Sequence, residues 1–277
     1  FLVGGDGGIL ARSDSKSAEW AKVDDSGTKQ RLFGGALGAR AHLAVGWLGT
    51  VTISQNRGPW RLAKGVQSVN IEDVLHDGDR FLAVGKGGKV GLSADGGTWL
   101  FHDSGTTSWL KHITYGGGQY VAVGTRGAIV TSENGTKWTE RSTPVTSGLE
   151  SVEYGNGRFV AIGFKGTILY SDDGRGWIAV NSGTKEWLND VTFGDGMFVA
   201  VGANGTLLTS PNGKTWLRRS SGTETTLVGV AFGDRRFIIV GRAGLILESG
   251  RLAAPPEPPT LAATLAKDGK LRLVITG

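Results

Sequence analysis

A unit of about 39 residues recurs along this chain of 277 residues and constrains its fold more than any other feature. Two landmarks keep the interval. The glycine that ends a Val-Gly or Ile-Gly pair recurs every 39 residues, at Gly46, Gly85, Gly124, Gly163, Gly202 and Gly241. A tryptophan recurs at the same interval, at Trp60, Trp99, Trp138, Trp177 and Trp216. Repeats of roughly 40 residues built from short strands are typical of β-propeller blades.

Each repeat contains four strand-like runs, which we letter A to D from the central channel outward. In the sixth repeat they read WLNDVTF, FVAVG, TLLTS and WLRRS, separated by the turn sequences GDG, ANG and PNGKT. β-branched and aromatic residues favour a pleated sheet, and the glycines mark tight turns. The pattern predicts an all-β, seven-bladed β-propeller of about 39-residue four-stranded repeats. Because the first repeat lacks run A and the last lacks run D, we expect incomplete terminal blades.

The turn between runs C and D repeats a motif of Ser, then Asp or Asn, then Gly, then Trp. It reads SDDGRGW at 171–177 and SPNGKTW at 210–216. Short oxygen side chains hydrogen-bond the backbone of their own turn, and the glycine accepts a positive φ. A calcium loop is the alternative, but calcium takes about six or more converging oxygens, which one short turn does not offer. The motif therefore predicts a structural staple.

The phrase VAVGxxGxIxxSxDGxxW resembles the bacterial BNR/Asp-box-like propeller repeats, and in particular the photosystem II assembly-factor-like propeller domain. The resemblance covers about residues 1–250. It implies seven blades, and it implies one of the roles that such propellers have, as scaffolds, peptide binders or glycosidases. Assembly-factor-like members are thought to contact a protein partner through an arginine-rich patch. Most copies here are one residue shorter than the usual S-x-D-x-G-x-x-W, which argues against close kinship with sialidases.

The sequence divides into three parts. Residues 1–250 are the predicted propeller, residues 251–260 form a Pro-rich linker, and residues 261–277 read as a β-hairpin turning at Asp268-Gly269. We interpret the hairpin as the start of a truncated C-terminal β module. The alternative is that the tail supplies a strand to an incomplete blade. We expect a secreted, periplasmic or cell-surface protein whose targeting signal lies outside this sequence.

Composition removes several classes of function. The 30 basic and 25 acidic residues leave a net charge of +5 without the clustered Lys and Arg of a nucleic-acid binder. With no Cys, neither disulfides nor thiolate metal sites can form. The four histidines show no metal-ligand spacing, and no apolar run approaches the roughly 18 residues of a membrane-spanning helix. We expect no metal, no cofactor, no nucleic-acid partner and no transmembrane segment.

The turn between runs B and C is the variable pair of residues inside the pattern VGxxG. In propellers this turn and the D–A connections share one rim around the channel. Four cations fall in the pair, and three tryptophans lie in the same turns or in the D–A connections: Lys86, Arg126, Lys165 and Arg242, with Trp47, Trp109 and Trp187. Such a rim suits an anionic peptide, a phosphate- or sulfate-bearing ligand, or a sugar stacked on Trp. The alternative is a rim of long, solvated side chains.

Run A lines the predicted channel. Aligning the repeats puts Asp73, His112 and Asp190 in one column, two residues after an apolar residue that recurs in each repeat. Glu153 stands two residues further along in its own repeat. Asp73 and Asp190 are a candidate carboxylate pair at the neck. Small polar residues where blades converge more often pack or bind water than act in catalysis.

Three functions remain open. A binding or scaffold propeller needs only a rigid ring and a rim, and we rank it first. A glycan-binding lectin would use the rim tryptophans. A glycoside hydrolase needs two carboxylates about 5–10 Å apart beside a cleft, and no such pair stands out from the packing pattern. We predict that the chain is not an enzyme.

Overall fold

Each repeat folds into one antiparallel sheet whose strands lie side by side in chain order, and seven such sheets form the blades of a β-propeller. The computed structural model describes residues 1–13, 20–63 and 69–250 with their side chains, and the strand backbone of residues 260–265 and 271–276. Blades 2 to 6 have four strands, whereas blades 1 and 7 have three. The predicted all-β propeller, its seven blades and its incomplete terminal blades are confirmed.

The strands are numbered in chain order, and strands A to D of a blade run from the channel outward. Blade 1 contains β1 (Leu2–Gly4), β2 (Leu10–Ser13) and β3 (Trp20–Lys22). Blade 2 contains β4 (Leu32–Leu37), β5 (Ala41–Gly46), β6 (Val51–Gln55) and β7 (Trp60–Leu62). Blade 3 contains β8 (Ile71–His76), β9 (Phe81–Gly85), β10 (Lys89–Ser93) and β11 (Leu100–Asp103). Blade 4 contains β12 (Leu110–Gly116), β13 (Gln119–Gly124), β14 (Ile129–Ser132) and β15 (Thr139–Glu140).

The remaining strands continue the pattern. Blade 5 contains β16 (Leu149–Gly155), β17 (Arg158–Gly163), β18 (Ile168–Ser171) and β19 (Ile178–Val180). Blade 6 contains β20 (Leu188–Gly194), β21 (Met197–Gly202), β22 (Leu207–Ser210) and β23 (Leu217–Arg219). Blade 7 contains β24 (Leu227–Gly233), β25 (Arg236–Gly241) and β26 (Ile246–Glu248). After the propeller, β27 (Thr260–Leu265) pairs antiparallel with β28 (Leu271–Thr276).

The tail partly matches its sequence interpretation. The two paired strands form a separate two-stranded sheet, as expected of a hairpin. The predicted Pro-rich linker at residues 251–259 and the turn at Asp268-Gly269 lie outside the described residues. The domain boundaries and the truncated C-terminal module therefore stay predictions.

The hydrophobic core lies between neighbouring blades. Val121 and Ile129 of blade 4 pack with Leu149 and Val152 of blade 5, and all four side chains are fully buried. A blade has one neighbour on each face, so its central strands must be apolar on both faces. This explains why strand B reads as a near-continuous apolar run, and why every residue of β13 is buried.

The C–D turns are the structural staples that the sequence predicts. In blade 6, the Ser210 Oγ accepts a hydrogen bond from the Gly213 N–H at 2.8 Å, and the Asn212 Oδ1 accepts one from the Thr215 N–H at 3.0 Å. The Trp216 Nε1 donates to the Gly213 carbonyl at 3.1 Å. The recurring tryptophans share this placement: Trp60, Trp99, Trp177 and Trp216 are buried, and Trp138 is half-buried.

A glycine at the end of strand A forms the tightest joint between blades. A Cβ on Gly155 would lie 2.1 Å from the ring of Phe193 in the next blade, and a Cβ on Gly194 would lie 2.0 Å from the ring of Phe232. No side chain larger than hydrogen fits there. A contact at the equivalent glycine closes the propeller, because the phenyl group of Phe1 in blade 1 lies 3.2 Å from the Cβ position of Gly233 in blade 7.

One joint departs from this rule. Asp77 of blade 3 stands at the position that Gly116 and Gly155 occupy in blades 4 and 5. Its side chain fills the space that a neighbouring ring would enter, and Tyr115 of blade 4 stays 42% exposed. The Asp77 carboxylate instead accepts a hydrogen bond from the Tyr120 hydroxyl at 2.5 Å. A polar link therefore replaces an apolar joint between blades 3 and 4.

We predict that Trp177→Ala lowers the free energy of unfolding by about 3–5 kcal/mol, because it removes a buried ring and leaves a cavity between blades. Trp177 is 7% exposed and its Nε1 donates to the Gly174 carbonyl at 3.1 Å. Trp187→Ala is the matched control, since Trp187 is 41% exposed and loses at most a surface ring contact, about 0.5–1.5 kcal/mol. Urea denaturation measures both. Equal losses for the two variants would contradict the inter-blade role of the repeated tryptophan.

Candidate binding face at the channel mouth

The B–C turns and the D–A connections lie on one rim, as the sequence predicts. In blades 2 to 7 the first residue of the B–C turn donates its N–H to the carbonyl of the residue that precedes strand A. Lys86 donates to Asn70 at 3.0 Å in blade 3, and Phe164 donates to Gly148 at 3.0 Å in blade 5. These bonds fix each variable turn beside the channel mouth.

In blades 1 and 3 to 6 the last glycine of the B–C turn packs closely against the D–A connection. A Cβ on Gly166 would lie 2.1 Å from the Thr184 carbonyl oxygen, and a Cβ on Gly88 would lie 1.8 Å from that of Thr106. Both glycines also have φ near +69°. The position is closed to other residues, so sequence variation falls on the two residues before the glycine, which face solvent.

The four predicted cations are all exposed, but they occupy two turn positions rather than one. Lys86 and Arg242 are the first residues of their turns. Arg126 and Lys165 are the second residues and have left-handed backbones, with φ of 62° and 55°. None of the four forms an ion pair with an acidic side chain in the described part of the chain. Their charges therefore remain available to a ligand.

The three predicted rim tryptophans differ in how much surface they offer. Trp187 is 41% exposed and stacks on Phe164 of the preceding blade, with ring centroids 4.1 Å apart. Trp47 is 46% exposed and meets Phe33 edge-on. Trp109 is half-buried and has the Lys111 ammonium 4.0 Å from its ring centroid. Two of the three rings thus present apolar surface at the rim, and the third is covered by a cation.

A ring of residues at the channel mouth escaped the sequence analysis. A register shift after the first residue of strand A recurs in every A strand that the structure describes, for example between Leu110 and His112 in β12. Such a bulge re-aims the extra residue. The six residues in this position are Phe33, Glu72, Lys111, Glu150, Asn189 and Val228. In the sequence these residues stand directly after the aligned apolar residue. In an ordinary strand the side chains alternate between two faces, so the sequence alone does not show that these residues face the mouth.

The mouth ring holds a mixed charge network. The Lys111 ammonium lies 3.0 Å from Glu72 Oε2, with both side chains largely buried. Burial raises the pKa of Glu150 to about 7; the Lys111 charge opposes this rise and the Glu72 charge adds to it. The inner mouth therefore combines a Glu–Lys ion pair with a carboxyl that is largely protonated below pH 7, whereas the surrounding turns are basic.

The predicted neck residues bridge neighbouring blades. Asp73 Oδ2 accepts the Ile113 N–H at 3.1 Å and lies 3.6 Å from His112 Nε2. Asp190 Oδ2 accepts the Val230 N–H at 2.8 Å. Both carboxylates raise the pKa of His112, and the carboxylate pair stays a prediction. Each carboxylate links its blade to the next one around the channel.

Burial and neighbouring charges raise the pKa values of three neck groups, Glu153, Asp190 and His112. Burial raises the pKa of Glu153 to about 7, and burial also raises the pKa of Asp190. For His112, burial alone favours the neutral ring, but the surrounding carboxylates outweigh it and raise the pKa. A raised pKa for all three groups means that the folded neck retains protons more tightly than the unfolded chain does.

The described residues form neither a metal site nor a membrane-spanning helix. No group of three or more His, Asp or Glu side chains is arranged there to hold a metal ion. None of the helical turns described has the length and apolar character of a membrane-spanning helix.

Several solved structures share the fold. The structure of YCF48 bound to D1 peptide has a TM-score of 0.73 at 17% sequence identity, covering 89% of this chain and 86% of that chain. YCF48 from Cyanidioschyzon merolae has a TM-score of 0.71 at 17% identity, covering 89% and 90%. The computationally designed Ika8 protein has a TM-score of 0.67 at 15% identity, covering 89% and 81%. At these identities the similarity shows the propeller fold, and it supports the assembly-factor-like resemblance at that level.

Comparison at the level of sequence assigns the chain to no family. No protein-family model matches the chain. No curated protein matches it significantly. The BNR/Asp-box relationship therefore stays a hypothesis resting on the repeated motif.

We predict that stability to heat falls as the pH rises from about 5 to about 8. Glu150 keeps its proton in the fold up to about pH 7, whereas the unfolded chain releases it near the ordinary value of 4.5. A folded pKa above the unfolded one stabilises the fold below the unfolded pKa, and this contribution is lost as the pH passes the folded pKa. Thermal unfolding followed by circular dichroism measures the slope.

Glu150→Gln should make that slope shallower, because the amide cannot ionise. Glu140→Gln is the matched control at an exposed glutamate of β15 and should leave the slope unchanged. Glu153, Asp190 and His112, whose pKa values are also raised, supply the remaining slope. Identical slopes for the wild type and Glu150→Gln would show that the mouth carboxylate ionises freely in the fold.

Proposed function

We propose that the chain is a non-catalytic binding propeller that holds an acidic segment of a protein partner on its B–C rim. The observation that carries the proposal is the set of four exposed rim cations that lack an acidic partner among the described residues. Cations on turns of one rim raise the local positive potential well beyond that of a net charge of +5. Carboxylates or phosphates of a partner are the complementary groups.

Exposed apolar surface on the same rim favours a peptide over a small inorganic anion. Trp47 and Leu48 are 46% and 64% exposed. The Trp187–Phe164 stack lies on blades 5 and 6, which follow blade 4 with Arg126. A peptide can meet the cations with its acidic side chains and the rings with its apolar side chains. Aromatic and arginine residues are the types that dominate protein-recognition surfaces.

The inner mouth limits where the segment lies. Glu72 is paired with Lys111 at 3.0 Å, and burial raises the pKa of Glu150 to about 7, so the entrance carries little net charge at neutral pH. The cations without an acidic partner lie on the outer turns instead. We infer that the acidic segment lies over these turns.

A solved neighbour supports a peptide ligand for a ring of this shape. YCF48, which has the same fold, has been solved bound to D1 peptide. Its rim is only distantly related to this one at 17% identity, so it supports the class of ligand and not its sequence. The extracytoplasmic location inferred from the sequence belongs with this proposal.

The two other functions gain less from the geometry. A sugar needs a free aromatic face, and Trp109 and Trp187 each have a face occupied, by Lys111 and by Phe164. A glycosidase needs a paired acid and base, and Asp73 and Asp190 are each engaged with the backbone of the next blade. We therefore propose neither.

We predict that replacing the four rim cations with Ser weakens binding of an acidic probe peptide at least about fivefold, since exposed charges contribute roughly 0.2–1 kcal/mol each. The probes are a fluorescein-labelled Glu- and Asp-rich nonapeptide and its Gln and Asn counterpart. Fluorescence anisotropy measures both at low and at high salt. The loss should be greatest at low salt, because screening weakens exposed charges.

The control variant removes two lysines and two arginines from exposed places away from the B–C rim, which keeps the change in net charge the same: Lys137, Lys214, Arg12 and Arg218. It should bind the acidic probe nearly as the wild type does. Equal weakening by both quadruple variants would mean that the probe senses only net charge. Unchanged binding in the rim variant would place any acidic ligand elsewhere.

A further inference from the structure

The rim opposite the B–C turns contains a repeated bridge between blades. The residue at the start of strand B reaches across to a backbone carbonyl in the C–D turn of the next blade. Arg80 donates to the Asn134 carbonyl at 2.8 Å, and Gln119 donates to that of Asp173 at 2.8 Å. Arg158 donates to the Asn212 carbonyl. In all three bridges the two residues are 54 positions apart.

The bridge is missing between blades 2 and 3. The residue at the start of strand B there is Ala41, and the residue 54 positions later is Asp95. A methyl group has no donor and cannot span the joint. A cavity of about 480 Å³ opens at this place, lined by both Ala41 and Asp95 and by Phe81, His76, Asp79 and Arg40.

The filled joints show which group such a space accepts. The Arg80 guanidinium donates to the Asn134 carbonyl at 2.8 Å and to the Tyr120 hydroxyl at 3.2 Å, and its Nε lies 3.3 Å from the Asp77 carboxylate. The Arg158 guanidinium likewise combines a turn carbonyl with a carboxylate, that of Asp172 at 2.6 Å. A turn carbonyl and a carboxylate therefore recur around a guanidinium.

The cavity between blades 2 and 3 offers the same two kinds of group. Asp95 stands at the position of Asn134, one repeat earlier. Phe81 stands at the position of Tyr120 but lacks the hydroxyl, and its ring is 2% exposed and packs against His76. Asp79 and Asp95 place two carboxylates on the wall against one cation, Arg40.

We propose that this cavity binds a guanidinium group from outside the propeller, such as the side chain of an arginine on a partner polypeptide. The group would donate to the Asp95 carbonyl oxygen and pair with a carboxylate of the cavity wall, that of Asp79 or Asp95. The site lies on the rim opposite the basic B–C turns, so it is independent of the acidic-peptide proposal. It gives the molecule a second face with the opposite preference in charge.

A guanidinium fits these groups better than an ammonium does. Its planar fork presents several N–H donors in fixed directions, so that one group can donate to a carbonyl and to a carboxylate together. An ammonium is a more strongly hydrated point charge and gains less from this fixed arrangement. The discrimination between the two is therefore the signature of the site.

The test titrates the ¹⁵N-labelled chain with N-acetyl-arginine amide and follows backbone amide shifts by NMR. Saturable shifts are expected at Ala94, Asp95 and Gly96. N-acetyl-lysine amide has the same charge without the fork, and N-acetyl-citrulline amide has the same shape without the charge. Both should bind at least tenfold more weakly. Free arginine is a further arm: tighter binding of the amide assigns the site to polypeptides, and tighter binding of free arginine assigns it to a small molecule.

Two variants test the structural template. Ala41→Arg supplies the missing bridge within the chain, so it should abolish the shifts and raise the melting temperature by about 2–4 °C, the shift that roughly 1 kcal/mol gives in a protein of this size. Arg80→Ala should open an equivalent cavity and add arginine-dependent shifts at Asn134 and Gly135. No saturable shift in the wild type, equal shifts with the lysine probe, or shifts that persist in Ala41→Arg would each overturn the proposal.

Discussion

The fit between neighbouring blades is the constraint on which the structure depends. A blade is a small sheet with two apolar faces, and the only surfaces that can cover them are the faces of the blades on either side. The joint is tightest where strand A ends, because Gly155 and Gly194 leave room only for the rings of Phe193 and Phe232. A contact between Phe1 and Gly233 joins the first blade to the last. Stability is therefore shared by all joints, and each blade relies on its neighbours.

This constraint leaves the turns free to vary. The strand positions, the turn glycines and the tryptophans repeat because each contacts the next blade or the next connection. The two residues before each B–C glycine differ from blade to blade, and it is there that Lys86, Arg126, Lys165 and Arg242 occur. At the channel mouth, by contrast, the bulge of strand A brings Lys111 close to Glu72 and Glu150. The outer turns are consequently basic and the inner mouth has a mixed, largely compensated charge, on a backbone that is nearly the same in every blade.

Departures from the repeat are as informative as the repeat itself. Asp77 replaces a joint glycine, and a polar link to Tyr120 takes the place of an apolar contact. Ala41 replaces a bridging Arg or Gln, and a cavity takes the place of an inter-blade hydrogen bond. In both cases the equivalent position in another blade shows what is missing and what chemistry the space accepts. A repeat protein thus contains its own comparison structures.

The sequence by itself determined the fold class, the number of blades, the incomplete terminal blades and the structural role of the C–D motif, because period, turn residues and strand patterning are local properties. It also located the basic rim, since the variable pair follows a fixed glycine. The mouth ring of Glu72, Lys111 and Glu150 and the separate partners of Asp73 and Asp190 were decided only by the tertiary structure. A bulge breaks the alternation of faces, and which carboxylate meets which strand depends on how blades converge around the axis. The cavity at Ala41 follows the same rule, because an absent bridge is visible only where two blades meet.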